Sequence, residues 1–156
     1  MRRRATAPAL RAATLWLLLL TAVPAAAQRA TVPPRGSPER GAIMDALREA
    51  VRPSLRKPVI IEVSHLRVQG NHAFLIGIPR KPDGSAFDYS GTAYQEARDE
   101  GMFDDWIYAL CIRAAGRWRC PDFGIGATDV GWLELIGKRG APESIFPEHG
   151  DDHNHD

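Results

Sequence analysis

Asp104–Trp132 reads DDWIYALCIRAAGRWRCPDFGIGATDVGW, and its reading decides the fold. Two runs rich in β-branched and aromatic residues flank Ala115-Gly116. That pattern predicts a β-hairpin turning on those two residues. With a two-residue turn, Ala114 faces Arg117, Arg113 faces Trp118, Ile112 faces Arg119 and Cys111 faces Cys120. Pairs in such a hairpin alternate between hydrogen-bonded and non-hydrogen-bonded sites, beginning hydrogen-bonded beside the turn. Cys111 and Cys120 then share a non-hydrogen-bonded site, where Cβ atoms lie about 4.5–5.5 Å apart and a disulfide is within reach. A three-residue turn would set the cysteines diagonally, and two buried free thiols are the alternative. The spacing is not C-x-x-C and no helix N-terminus is placed to hold a thiolate, which argues against a catalytic dithiol. Beyond the hairpin, Gly124-Ile125-Gly126 loosens the second strand. Thr128 is the expected N-cap of a short helix, with Asp129 in its first turn and Trp132, Leu133, Leu135 and Ile136 on its apolar side.

Outward from this stretch, the beginning of the chain sets the destination. Arg2, Arg3, Arg4 and Arg11 precede an uncharged run from Ala12 to Gln28 that contains LWLLLL. Pro24-Ala25-Ala26-Ala27 offers a small-x-small cleavage site before Gln28. These are the three regions of a secretory signal peptide, assigned to residues 1–27. The alternative is an uncleaved anchor, but the 17-residue run contains Pro24 and falls short of the ~20 residues a spanning helix prefers. No apolar pair follows Arg3-Arg4 and no cysteine follows the leader, so the general secretory route is expected. The product is then periplasmic or secreted, with no stable membrane anchor after cleavage. The leader takes four of the 20 basic residues and none of the 19 acidic ones, leaving 16 against 19 and a net charge of −3. That balance gives no pull toward nucleic acid. Two cysteines in the remainder fit one bridge in an oxidising compartment.

Residues 28–37, rich in proline and small polar side chains, read as a flexible linker, and residues 38–147 as a single domain. Ser37 is the expected N-cap of a helix with Pro38 at its first position. Ile43, Met44, Leu47, Ala50 and Val51 follow at helical spacing, and Pro53 should end the helix near Val51–Arg52. A strand follows Pro58. Its apolar parity slips, and a bulge near Ser64-His65 would put Val59, Ile61, Val63, Leu66 and Val68 on one face. Gly70-Asn71 turns into a return strand from His72 that Pro79 should end. Ala86–Tyr89 reads as a short edge strand, Tyr94–Glu100 as a short helix capped by Thr92 and closed by Gly101, and Pro142–Phe146 as a last turn. From Glu148 the chain is a polar His/Asp-rich tail, expected to be disordered.

The expected fold class is therefore α+β: an N-terminal helix packed on an antiparallel four-stranded meander, with a short C-terminal helix. This is the cystatin-like or NTF2-like arrangement. The runs AFDYSGTAY, FDDWIYALCIRAAGRWRC and GATDVGW also resemble small uncharacterised exported proteins of Gram-negative bacteria. The resemblance spans most of the mature chain and implies fold and compartment, but no activity. The two cysteines depart from it, since apolar residues would be expected there.

Candidate sites come from side-chain chemistry. His149, His153 and His155 lie among Glu148, Asp151, Asp152 and Asp156, ligand types that suit Zn, Ni or Cu. A solvated acidic tail is the plainer reading. His65, His72, Asp122 and Tyr94 are candidate acid/base groups, with Asp122 expected opposite Ala109. Asp104 and Asp105 read as turn residues with a surface salt bridge. Tyr89, Tyr94, Tyr108, Trp118 and Trp132, with Trp106, could line a pocket for a carbohydrate or an apolar ligand, against the alternative of core packing. No G-x-S-x-G, H-E-x-x-H, phosphate-binding glycine loop or Ca²⁺ loop is present. The leading expectation is an exported non-catalytic binding module whose partner is an unidentified protein, envelope component or small ligand, held near Trp118 and Tyr108. A small periplasmic enzyme is second, and weak divalent-metal binding by the tail is third.

Overall fold

A computed structural model describes residues 29–148 of the protein. Residues 1–28, with the proposed leader, and residues 149–156, with the tail histidines, lie outside that range. Helix α1 spans Pro38–Leu55 and is followed by strands β1 (Ile60–Gln69) and β2 (His72–Arg80), helix α2 (Gln95–Asp99), then β3 (Ile107–Ala114) and β4 (Arg117–Ile125). Three short 3-10 turns, Gly131–Leu135, Lys138–Gly140 and Glu143–Ile145, complete it. The strands form one antiparallel sheet in the order β1-β2-β3-β4. This is the α+β meander expected from the sequence.

The local chemistry explains each element. The Ser37 hydroxyl accepts from the Arg40 amide at 3.2 Å, and Pro38 opens α1. Ile43, Met44, Ala46, Leu47, Val51 and Leu55 are its buried side. The helix runs past Pro53 rather than stopping before it. The amide that Pro53 lacks would have met the carbonyl of Glu49, an exposed residue where water can take over, and fully buried Leu55 anchors the extra turn. Arg56 closes α1 in the left-handed region at φ 56°, its amide donating to Arg52 O at 2.9 Å.

A bulge at Ser64 shifts the β1–β2 register between Val63 and His65. It keeps Leu66 and Val68 on the same side as Val59, Ile61 and Val63. β2 runs through Pro79 to Arg80, so Pro79 does not end it. Ala86 contributes only an isolated bridge to Arg80, while Phe87 and Tyr89 turn inward and are buried rather than forming an edge strand. The C-terminal helix expected after Thr128 is 3-10 in form and begins at Gly131, and no side chain caps it. In the stretch read as a linker, Thr31 exchanges two backbone hydrogen bonds with Val68 at 2.8 Å, and Pro33 is buried.

Both faces of the sheet are covered. On one, α1 lies over β3 and β4 and closes a core with Ala73, Leu75, Ile107, Ala109, Trp118 and the two cysteines. On the other, Phe74, Ile76 and Leu110 pack under Trp132, Leu135, Ala141, Ile145 and Phe146 of the C-terminal segment. Phe74 is the hub, with ring centroids 4.5 Å from Phe146 and 5.8 Å from Trp132.

Candidate functional site

The acid/base candidates on the second face are engaged in holding the C-terminal segment. His65 Nε2 lies 2.8 Å from Ile145 O, and His72 Nε2 lies 3.0 Å from Arg139 O. A carbonyl only accepts, so each imidazole donates. Asp122 is paired with Lys138 Nζ at 2.7 Å and with the Arg139 guanidinium, and its side chain is only 10% exposed. Burial alone would raise the Asp122 carboxyl, but hydrogen bonds from Arg139 and Lys138 outweigh it and hold the group below the usual carboxylate range. Asp122 sits opposite Leu110, not Ala109 as the sequence reading had it. The reason is a bulge: between the Leu110–Asp122 and Ile112–Arg119 pairs, Cys111 stands against both Cys120 and Pro121. Pro121 has no amide to donate, so a bulge is a site that tolerates it. Tyr94 is on the other side of the molecule, packed with Phe103 and Tyr89.

The five aromatic candidates do not converge. Tyr89 is buried among Phe87, Tyr94 and Phe103, with the Arg98 guanidinium 5.1 Å over its ring. Burial first, then the Asp105 carboxylate, push its phenol far above the ordinary range. Trp118 lies under α1, with Arg113 stacked 5.2 Å from its centre. Tyr108 and Trp132 belong to the opposite face. The surface imagined between Trp118 and Tyr108 is therefore split by the sheet itself. The cysteines do meet: Cys111 and Cys120 form a disulfide in the α1-side core.

A cleft large enough for a small ligand lies elsewhere. At one end of the second face the C-terminal cover is incomplete. There Ile76, Gly77 and Ile78 of β2, Ser64 of the bulge, and Asp104, Asp105 and Trp106 line a cleft of ≈ 510 Å³ closed by residues 127–130. Its size suits a small ligand. The parts are locked in place. Trp106 Nε1 donates to Ala127 O, its ring centroid lies 5.3 Å from that of Tyr108, and Ser64 Oγ donates to Ile76 O at 3.3 Å. Gly77 permits the close approach of β1 here, since a Cβ on it would sit 2.6 Å from Glu62 O. A glycine inside an otherwise apolar strand was the sequence signal for this crowding. Asp129, read as a helix-start residue, lines the cleft instead.

Among the described residues no group of three or more His, Cys, Asp or Glu side chains could hold a metal ion. No described helix is long and apolar enough to cross a membrane. Comparison with known protein families, characterised proteins and solved structures finds no match.

Proposed function

We propose that this chain is an exported, non-catalytic binding module of the periplasm or cell envelope, and that its ligand occupies the cleft between Ile76–Ile78, Trp106 and residues 127–130. The observation that carries the reading is the cleft itself: a pocket of ≈ 510 Å³ lined by Ile76, Ile78, Trp106, Val130 and three aspartates, where the C-terminal cover of the sheet is incomplete. Export is supported by the leader-like start of the sequence and by the disulfide, which is stable outside a reducing cytoplasm. The enzymatic alternative draws no support from the geometry. His65, His72 and Asp122 are bonded to the C-terminal segment, and Tyr94 stands apart from them.

The test is a fragment-binding screen by ¹⁵N–¹H NMR on the mature chain. Ligands should shift amides of residues 76–78, 104–106 and 127–130 together. Shifts confined to other surfaces, or none at this cleft across neutral, cationic and anionic fragments, would remove the reading.

A further inference from the structure

We infer that the cleft selects an organic cation, a guanidinium or ammonium head on an apolar stem. This rests on the cleft being the ligand site. Three carboxylates line it, from Asp104, Asp105 and Asp129, and no lining residue is basic. Arg98 answers one of them, donating to Asp105 at 2.8 Å. Asp104 and Asp129 have no side-chain ion pair or hydrogen bond among the described residues. Two negative charges are thus left over on the rim of a cleft walled by Ile76, Ile78, Trp106 and Val130; both are exposed, so their pull on a cation is a screened, salt-dependent one. The Trp106 ring, held by its bond to Ala127 O and packed against Tyr108, adds aromatic surface to the lining beside these carboxylates. The same field repels anions, and the carboxylates are not grouped to chelate a bare metal ion. What remains is a cation with enough apolar body to cover the isoleucines. The Asp104–Trp106 wall is tied to the chain just past β4: Asp104 N donates to Gly126 O, Gly126 N to Trp106 O at 2.9 Å, and Trp106 Nε1 to Ala127 O.

The experiment titrates three probes into the ¹⁵N-labelled mature chain. n-Butylguanidinium represents a free small-molecule cation, N-acetyl-arginine amide a side chain on a polypeptide, and N-acetyl-citrulline amide is the neutral isostere of the arginine probe. Both cations should shift residues 76–78, 104–106 and 127–130, and the tighter of the two identifies the source. Citrulline should bind at least about fivefold more weakly, and Asp104→Asn with Asp129→Asn should weaken the cations by about fivefold per carboxylate. Raising the salt from 50 to 500 mM should weaken them further. Equal binding of citrulline, or cation affinity unchanged in the double variant, overturns the charge selectivity and leaves the cleft as a neutral-ligand site. If neither these probes nor the neutral fragments shift the cleft, the ligand-site reading fails as well. Thermal unfolding of the double variant, expected within about 1 °C of the parent because both side chains are exposed, separates lost binding from lost folding.

Discussion

Ala115 is the residue on which the central hairpin turns, and it occupies a conformation that alanine disfavours. Its φ is 49° and that of Gly116 is 74°, the paired left-handed values of a type I′ turn. Glycine reaches that region freely, whereas an L-residue with a Cβ costs about 1–2 kcal/mol there. The turn is held by its surroundings. Arg113 stacks on Trp118, meets Glu39 of α1 at 3.3 Å and donates to Gly70 O, so both hairpin ends are tied to each other and to the helix. Asparagine tolerates the left-handed region and is the preferred first residue of this turn. Ala115→Asn should stabilise the protein by about 0.5–1 kcal/mol. A urea unfolding curve would show a raised midpoint with an unchanged slope, and a lowered midpoint would mean that the turn is not as described.

The hairpin built on that turn shows how far sequence patterning reaches. Cross-strand order near the bend follows from two residues, so Ile112–Arg119 and Arg113–Trp118 are legible without coordinates. The Ser64 bulge is legible too, because the apolar parity of β1 changes there. The bulge at Cys120-Pro121 leaves the same kind of trace, since apolar parity passes from Trp118 and Cys120 to Phe123 and Ile125, but carrying the two-residue-turn register straight past Cys120 overlooks it, and the cysteines bond in either register. The cleft is the least legible feature. Asp104, Trp106 and Asp129 stand out as residue types, but only the sheet brings them beside Ile76–Ile78, some 30–50 positions away in the sequence. Against this background the disulfide is a fastening of the bulge. It closes a short loop, nine residues in separation, and replacing both cysteines by alanine should cost about 2 kcal/mol. Both cysteines are fully or nearly fully buried, so thiol labelling after a reductant pulse should be slow in buffer and fast in urea. A variant with an unshifted urea midpoint would show that packing under α1, not the bridge, holds β3 to β4.

At the scale of the whole molecule, the sheet is the middle of three layers, and the outer layers are held by different means. α1 is held by an apolar stripe. The C-terminal segment has no regular α-helix among its described residues and joins apolar contacts through Ile145 and Phe146 to polar fastenings through His65, His72 and Asp122. That difference makes the second layer sensitive to pH. Burial is the main cause lowering the His65 pKa below its ordinary 6.5, the Arg67 charge adds to it, and the Ile145 carbonyl opposes both. The folded chain therefore takes up this proton less readily than the unfolded one. Stability is unaffected by His65 above pH 6.5 and falls as the pH drops below it, because there the unfolded state binds more protons. Asp122 acts only further down, its contribution being lost as the pH falls below 3.8. The melting temperature should therefore be lower at pH 5 than at pH 7.5, with the protection of amides 141–146, corrected for the intrinsic pH dependence of exchange, falling first. His65→Gln keeps a donor for Ile145 O without the titration, and it should flatten the melting curve between those two pH values. A variant whose pH dependence runs parallel to the parent's would assign the acid sensitivity to another group and leave His65 as a packing residue alone.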